Sequence, residues 1–155
     1  MIALIQRVSE ATVSIEKKSV ASIQIGLLAL IGVEKTDTAA TAKQLAEKIL
    51  MYRVFSDDAG KMNLDIQVAG GALLLVPQFT LVADTRKGRR PGFSSGASPG
   101  QGQELFEQLV SDASTYSVPV AQGVFGADMQ VALVNDGPVT FWLQVGEGQR
   151  FPTSI

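Results

Sequence analysis

The segment from Leu73 to Thr80 combines a buried strand with polar groups that could act on an ester. Its apolar run ends at Pro77, which suits a strand end because proline cannot donate to a β-ladder. Gln78 and Thr80 follow where backbone N–H groups become exposed, and such groups can bind a carbonyl oxygen as it gains negative charge. Taken alone, these residue types favour a simpler interpretation, that of ordinary polar side chains at a strand end.

A cluster of cations follows on a loop rich in glycine and serine. Cations on such a loop suit phosphate groups, whose binding is electrostatic and depends on salt. Surface charge that only keeps a protein in solution explains the cluster equally well. Because no base-stacking or base-reading motif accompanies it, recognition of RNA shape or of an RNA end is favoured over sequence reading. The four cations are Arg86, Lys87, Arg89 and Arg90.

Gly137 and Pro138 are the third candidate for a functional element. Glycine allows a close backbone approach, and a cis bond before proline costs only about 0.5–1 kcal/mol, so the pair could present two carbonyls in a fixed direction. The plainer interpretation is a hairpin turn over 135–138. The residue types favour that turn, because most X–Pro bonds in folded proteins are trans.

Composition limits the chemistry that these groups can perform. The chain of 155 residues has no histidine, no cysteine and a formal net charge of −2. Serine or cysteine nucleophiles activated by histidine are excluded, and so are the usual zinc sites. Catalysis must rely on backbone amides, hydroxyls, carboxylates, lysine, an oxygen-bound cation or a group on the substrate. No phosphate-binding glycine motif occurs, and Asp57 and Asp58 lack EF-hand spacing, so we predict neither a cofactor nor a metal.

The order of hydrophobic patterns predicts one α/β domain that positions these groups. Neighbouring strands open the chain and two helical patterns follow, which favours a single layered domain with mixed or antiparallel β-sheets. The N-terminus lacks a signal peptide and the apolar runs are too short to span a bilayer, so we expect a cytoplasmic protein without a membrane partner. The predicted strands are 2–8, 11–15, 20–25, 27–33, 71–76, 129–134 and 139–145, and the predicted helices are 38–52 and 99–114.

Five segments of the chain together resemble the D-aminoacyl-tRNA deacylase (D-tyrosyl-tRNA(Tyr) deacylase) family. They extend over nearly all of 1–145 and contain two motifs, the glutamine-centred segment that ends at Leu81 and the Gly-Pro-Val-Thr at 137–140. The implied domain is 1–147, with a barrel-like β core and two main helices packed on one side, followed by a tail at 148–155. The segments are MIALIQRV, GLLALIGVEK, MYRVFSDDAGKMNL, PQFTLVADTRKGRRPGFSSGASP and ADMQVALVNDGPVTFWLQV.

The resemblance implies an enzyme that proofreads the chirality of charged tRNA. It would hydrolyse the ester joining a D-amino acid to the terminal adenosine of tRNA, and also the ester of glycine mischarged on tRNA(Ala). Members of the family are cytoplasmic homodimers with active sites at the subunit interface and no cofactor. A Gly-cisPro element, here Gly137 and Pro138, would reach into the partner's pocket and exclude an L side chain.

The resemblance also assigns roles to single residues. Gln78, Phe79 and Thr80 match the catalytic pocket segment, Met129 matches a pocket-lining position, and Arg7 matches the arginine that holds the Gly-Pro element. In the family the substrate's 2′-hydroxyl and a positioned water carry the reaction, and N–H groups near Phe79 and Thr80 stabilise the oxyanion. With no general base in the chain, an older role for Thr80 as nucleophile is disfavoured.

One departure from the family pattern is Pro77, where a serine is usual. A hydroxyl and an N–H are both lost at the pocket edge, yet we expect the site to survive because the oxyanion donors follow this position. Two alternatives stay open. One is a non-catalytic RNA-binding module that kept the fold, and the other is a hydrolase of small D-amino acid esters in which the basic loop has no role.

Overall fold

The longest strand organises the sheet of this protein, whose computed structural model describes residues 1–86 and 88–146. One edge of β1 (Ile2–Ile15) pairs antiparallel along almost its whole length with the last strand, β8 (Gln130–Gln144). Its other edge pairs first with β3 (Gly26–Gly32) and then with β2 (Lys18–Ile23). The prediction of two strands at 2–8 and 11–15 is wrong, because exposed polar residues interrupt the apolar pattern while the ladder to β8 continues through Glu10.

Two parallel pairings make the sheet mixed. The strand β6 (Ala72–Pro77) lies parallel to β3, and β7 (Val120–Gln122) lies parallel to β6. The order is β2-β1-β3-β6-β7 with β8 on β1, and β2 curves back toward β6 and β7. This nearly closed arrangement confirms the expected barrel-like core. A separate two-stranded sheet consists of β4 (Phe55–Ser56) and β5 (Met62–Leu64).

Two main helices pack against each other and against one face of the sheet. In α1 (Ala39–Leu50), Thr38 caps the first turn and forms a reciprocal capping box with Thr41. In α3 (Pro99–Ala113), the side chain of Ser98 accepts from the backbone of the first turn. Both predicted helices are confirmed within two residues at each end, whereas the short α2 (Ile66–Ala69) was not predicted.

The central strands are buried on both faces. In β6, residues at alternate positions belong to two different hydrophobic clusters of the core. Leu73 and Leu75 contact the cluster under α1 and α3, while Leu74 and Val76 belong to the cluster on the other face. All four are at most 1% exposed, which explains the uninterrupted apolar run in the sequence. The strand therefore holds the following residues, from Gln78 onward, on a rigid support.

None of the helices among the described residues is both long and apolar enough to cross a membrane. The predicted tail, 148–155, lies outside the described residues, as does the last residue of the predicted domain.

Candidate active site

A pocket of ≈530 Å³ opens where β3 and β6 end. Its other walls come from the turn after β6, the first turn of α3 and the loop that leads into β8. The lining is mainly apolar, which suits a site that excludes water around a reacting group. Its lining residues include Pro77, Gln78, Phe79, Phe93, Phe125 and Met129.

Two backbone N–H groups beside this pocket have no partner in the part of the chain that the structure describes. The Gln78 N–H donates to the Ile31 carbonyl at 2.7 Å and completes the last rung between β6 and β3. The chain then turns into a short 3₁₀ helix, Phe79–Val82, whose first N–H groups have no acceptor within the helix. The described residues supply no acceptor for the N–H of Phe79 or of Thr80. Two neighbouring donors of this kind can bind an oxygen that becomes negative.

The side chains of Gln78 and Thr80 are bonded to each other. The Gln78 Nε2 donates to the Thr80 Oγ1, and the Thr80 side chain is exposed and is not part of the pocket lining. A carboxamide is too weakly basic to take a proton from a hydroxyl, and the chain has no histidine to do so. Among the described residues, Thr80 therefore has no partner that could activate its hydroxyl as a nucleophile.

Met129 lies on the opposite wall of the pocket, where a glycine makes room for it. Its Sδ accepts from the Val124 N–H at 3.4 Å, and a Cβ added to Gly123 would lie 2.9 Å from that sulfur. Sequence reasoning identified Met129 but missed Gly123, and it also missed the aromatic lining residues Phe93 and Phe125. All three of the missed residues lie in loops, where no hydrophobic period marks a residue as facing a cavity.

The prediction of a hairpin turn at 135–138 is wrong. Both halves of β8 pair with the same strand, since Thr140 is opposite Gln6 and Asn135 is opposite Val8. The four residues 136–139 therefore bulge outward opposite the single residue Arg7, and the Gly137–Pro138 bond within the bulge is cis. Turn-forming residue types here mark a bulge, a feature that re-aims a segment of a strand without ending it.

Arg7 anchors this bulge to the rest of the molecule. Its Nε donates to the Asp136 carbonyl at 3.2 Å and lies 3.1 Å from the Asp136 Oδ2, while its Nη1 donates to the Val54 carbonyl at 2.6 Å. A Cβ added to Gly137 would lie 3.1 Å from the Arg7 Nη2. The guanidinium is thus hydrogen-bonded to Asp136, the residue immediately before the Gly-Pro pair. The Arg7 side chain is only 14% exposed.

The sequence-predicted site residues form two groups in one chain. Gln78, Phe79 and Met129 line the pocket, whereas Arg7 and the Gly-Pro pair do not. Met129 directly precedes β8, the pocket lining continues to Val131, and the bulge begins at Asp136, five residues further, which corresponds to about 17 Å of strand. The bulge of a chain therefore lies far along β8 from the pocket of that same chain.

The basic loop is closed at its base by a backbone pair. The N–H of Asp84 donates to the Gly92 carbonyl at 2.7 Å, and the N–H of Gly92 returns a bond at 3.0 Å. Arg86 forms an ion pair with Asp84 at 2.7 Å, and this hydrogen bond raises the pKa of its exposed guanidinium. The exposed Arg89 and Arg90 have no carboxylate within 4.0 Å among the described residues, and Lys87 lies outside them.

The acidic turn after β4 directs its carboxylate toward its own backbone. Asp57 accepts from the N–H groups of Ala59 and Lys61, each at 2.9 Å, and from the Asn63 side chain at 2.8 Å. These bonds, led by the one from Lys61, hold the pKa of Asp57 below its ordinary value. Within residues 1–86 and 88–146, no three acidic side chains gather in a way that could hold a metal ion.

The family model described as D-Tyr-tRNA(Tyr) deacylase matches residues 4–144 of this chain. The chain belongs to this family. Deacylases of this family are ester hydrolases, and their curated relatives match the chain almost from end to end. The D-aminoacyl-tRNA deacylase of Thioalkalivibrio sulfidiphilus is 60% identical over 145 residues, which are 94% of this chain and 97% of that protein. The corresponding protein of Haemophilus influenzae strain 86-028NP is 57% identical, over 94% of this chain and 100% of its own length.

Two solved structures share the fold of this deacylase family member. The c-Myc DNA Unwinding Element Binding Protein superposes with a TM-score of 0.90 and 33% identity, covering 94% of this chain and 99% of its own. A probable eukaryotic D-amino acid tRNA deacylase superposes with a TM-score of 0.79, covering 93% of this chain and 98% of its own. At 14% identity, the second comparison speaks for the fold alone.

Proposed function

We propose that this protein is a D-aminoacyl-tRNA deacylase that acts in the cytoplasm. It hydrolyses the ester between a D-amino acid and the 3′-terminal adenosine of tRNA and releases the free amino acid and the tRNA. The observation that carries the proposal is the pair of N–H groups of Phe79 and Thr80, which have no partner among the described residues and lie at or next to the lining of an apolar pocket in a chain of this family. The carbonyl oxygen of the ester binds between these two donors.

In the proposed reaction a water adds to the ester carbonyl carbon and the ribose 3′-oxygen leaves with a proton. The two N–H groups stabilise the negative oxygen of the tetrahedral intermediate. Such electrostatic stabilisation lowers the barrier of the reaction and requires no general base. Proton transfer is assigned to the 2′-hydroxyl of the same ribose. This assignment is supported by a chain without histidine and by a Thr80 hydroxyl that has no basic partner within residues 1–86 and 88–146.

A tRNA that ends in 2′-deoxyadenosine tests the assignment of the 2′-hydroxyl. Its 3′-linked D-aminoacyl ester should turn over about a hundredfold more slowly than the natural substrate, since positioned proton transfer contributes roughly 10²–10⁴ in rate. The affinity of the uncharged deoxy-terminated tRNA, measured by competition, is the control and should be unchanged. Equal single-turnover rates for both esters would show that the protein supplies the proton transfer itself.

We assign the selection against L-amino acids to Gly137 and Pro138 of a second copy of the chain. Two features support a homodimer with shared sites. The bulge lies about 17 Å of strand away from the last lining residue of β8, Val131, in its own chain. In addition, the edge of β8 that does not pair with β1 has no partner strand among the described residues, and a long open edge is a natural surface for a second chain.

Mixing two impaired variants tests the shared site. Gly137→Ala disrupts the bulge but leaves the pocket intact, and Phe79→Pro removes a pocket N–H but leaves the bulge intact. Refolding the two together should raise the activity to about one quarter of that of the wild type, above the activity of either variant alone. Half of the dimers are then mixed, and each mixed dimer has one site built from two unaltered parts. Activity no higher than that of the two variants alone, in dimers of confirmed mixed composition, would place both elements in one subunit.

Rejection by backbone carbonyls has a consequence for glycine, which has no side chain to exclude. We expect the enzyme to hydrolyse glycyl-tRNA, including glycine mischarged on tRNA(Ala), as well as D-aminoacyl-tRNA. L-alanyl-tRNA is the matched comparison, because it differs from the D substrate only in the direction of one methyl group. Equal turnover of L-alanyl-tRNA and D-alanyl-tRNA would contradict this account of selection.

One assay compares the proposal with its two alternatives. The purified protein is incubated with D-tyrosyl-tRNA, with L-tyrosyl-tRNA and with a D-tyrosine ester that lacks tRNA. Hydrolysis of only the first substrate is the expected result. Hydrolysis of none would indicate an RNA-binding module that kept the fold without the activity. Equal hydrolysis of the free ester would indicate a small-ester hydrolase in which the basic loop has no role.

A further inference from the structure

Val82, the last residue of the 3₁₀ turn Phe79–Val82, is held between two glycines from separate parts of the chain. Val82 is only 1% exposed. A Cβ added to Gly32, the last residue of β3, would lie 3.1 Å from the Val82 Cγ1, and a Cβ added to Gly96, in the loop before α3, would lie 3.0 Å from the Val82 Cγ2. Each methyl group of Val82 therefore occupies space that the Cβ of any other residue would take up. We call this arrangement of Val82, Gly32 and Gly96 the valine socket.

The strand side of the socket, at Gly32, is directed toward the turn. Among the described residues, the atoms nearest to a Cβ added there are the Leu81 Cβ at 3.0 Å, the Val82 Cγ1 at 3.1 Å and the Gln78 carbonyl oxygen at 3.5 Å. Carbon atoms in contact prefer about 3.5–4.0 Å, so a methyl group at Gly32 would require a displacement. Gly32 is paired with Ile2 of β1 inside the sheet, and the turn is therefore the part that would move.

The loop side of the socket is fastened to the residues that follow β3. The Ala97 N–H donates to the Val33 carbonyl at 3.0 Å, and the Lys35 N–H donates to the Ser95 carbonyl at 3.0 Å. The Ser95 Oγ also donates to the Val82 carbonyl at 2.6 Å. The two sides of the socket thus form one hydrogen-bonded unit, which holds Val82 by its two methyl groups and by its carbonyl.

The turn that the socket holds carries the N–H groups of Phe79 and Thr80. Within this short segment the Leu81 N–H donates to the Gln78 carbonyl, and the Ala83 N–H donates to the Thr80 carbonyl, each at 3.2 Å. Because these bonds link the start of the turn to its end, a displacement of Leu81 and its successor in the chain changes the position of both N–H donors.

We propose that Gly32 and Gly96 are positioning residues for the hydrolysis, because the absence of their side chains lets Val82 fix the two N–H donors in place. This inference rests on the proposed function, in which those donors stabilise the negative oxygen of the intermediate. Gly32 is not part of the pocket lining, so a change there acts through the turn. Donors of this kind act on charge that develops in the transition state, and a misplacement of about 1 Å can cost roughly a hundredfold in rate. The effect therefore belongs in kcat and not in KM.

The first test is the turnover of D-aminoacyl-tRNA by Gly32→Ala. We expect kcat to fall about tenfold and KM to stay within about twofold, since displaced donors weaken binding of the transition state alone. Gly100→Ala is the matched control and should leave both constants unchanged. It adds the same methyl group at an exposed position of α3 that has no atom of the described residues outside its own helix within 4 Å. An unchanged kcat in Gly32→Ala, or a rise in KM alone, would overturn the proposal.

The second test is a double-mutant comparison within the socket. Gly96→Ala alone should lower kcat, and it decides the proposal if Gly32→Ala does not fold. In a Val82→Ala background, Gly96→Ala should cost nothing further, because the Cγ2 is gone and the next atom, the Phe93 carbonyl oxygen, lies at 3.4 Å. Gly32→Ala should still lower kcat in that background, because its contact of 3.0 Å with the Leu81 Cβ persists. A cost of Gly96→Ala that is the same with valine and with alanine at position 82 would overturn the proposal.

A measurement without substrate separates this inference from the function on which it rests. In ¹H–¹⁵N NMR spectra of the protein alone, Gly32→Ala should shift the amide signals of Phe79 and Thr80, whereas Gly100→Ala should shift neither. Unmoved signals in Gly32→Ala would overturn the proposal. If the wild-type protein hydrolyses no aminoacyl-tRNA, the proposed function fails. The spectra still decide whether the socket positions the two N–H groups, because they involve no turnover.

Discussion

At the scale of single residues, Pro77 interrupts no hydrogen bond of the sheet. The N–H of Gln78 points to β3, where it bonds Ile31 at 2.7 Å, and the N–H of Leu73 points to Pro119 at 2.9 Å, just before β7. Alternate residues of a strand donate to opposite sides, so a donor at position 77 would point toward the β7 side, where β7 has already ended. Proline is therefore compatible with this end of β6.

We expect Pro77→Ser to change kcat/KM for D-aminoacyl-tRNA by less than about tenfold, or about 1.4 kcal/mol in the barrier. The physical reason is that the proposed oxyanion donors belong to the two residues after Gln78, which keep their backbone positions. Pro77→Ala, which restores the N–H without a hydroxyl, is the control. An increase of more than tenfold with serine but not with alanine would give that hydroxyl a role in the reaction.

Gly137 is a residue of the bulge at which a side chain would be poorly tolerated. Its φ is +130°, and an added Cβ would lie 2.6 Å from the Val139 Cγ2 and 3.1 Å from the Arg7 Nη2. We expect Gly137→Ala to lower kcat/KM by about tenfold or more. The added methyl group would strain the backbone by roughly 1–3 kcal/mol, and the bulge would move to relieve that strain. Gly60→Ala is the matched control, with φ of +76° and no atom within 4 Å of the added Cβ. Equal effects of both variants on activity would contradict a role for the bulge.

At the scale of elements, the basic loop has cations in unequal environments. Asp84 partly neutralises Arg86, whereas Arg89 and Arg90 have no carboxylate within 4.0 Å among the described residues. We expect Arg89→Ala with Arg90→Ala to lower the slope of log Kd for tRNA against log salt by about two, and Arg86→Ala to lower it by less than one. Lys43→Ala, an exposed change on α1, is the control. An unchanged slope in the double variant would contradict phosphate binding by the loop and would indicate that its cations serve only solubility.

At the scale of the whole molecule, a buried charge cluster ties the first strand to the end of the last. The Met1 ammonium lies 2.6 Å from the Asp37 Oδ1 and 3.2 Å from the Glu34 Oε2, and it donates to the Val145 carbonyl at 2.8 Å. Asp37 also accepts from the Glu34 N–H at 2.7 Å, and the Gln144 Nε2 donates to the Glu34 Oε2 at 3.1 Å. The cluster joins the start of β1, the start of α1 and the end of β8.

We expect Asp37→Asn to lower the free energy of unfolding by about 1.5–3 kcal/mol, because the buried ammonium loses its shorter charged hydrogen bond and keeps only Glu34 as a carboxylate partner. Urea denaturation of both proteins at one fixed concentration measures the change. Asp58→Asn, which alters an exposed carboxylate of the same type, should change it by less than about 0.5 kcal/mol. Equal losses for both variants would contradict the role of the cluster.

The amino-acid sequence by itself determined the two main helices, the strands β2, β3 and β6, and the residue types at the site. Helix caps at Thr38 and Ser98 and the apolar run before Pro77 are local signals, because each depends on neighbours a few residues away. The lack of histidine and cysteine is a property of composition alone, and it excludes the common hydrolytic machineries whatever the fold. The resemblance carried by the two motifs then pointed to the family that the matching family model shows.

Only the tertiary structure decided which of these elements act together. In the structure, two predicted strands form the single strand β1, and the predicted hairpin at 135–138 is a bulge in β8. Phe93, which follows the backbone pair at the base of the basic loop, lies beside Phe79. Each of these facts depends on pairing between residues far apart in the chain, and short turn signals are the same for a hairpin and for a bulge. The separation of the bulge from the pocket of its own chain likewise requires that β8 be one continuous strand, which its long-range pairing with β1 decides.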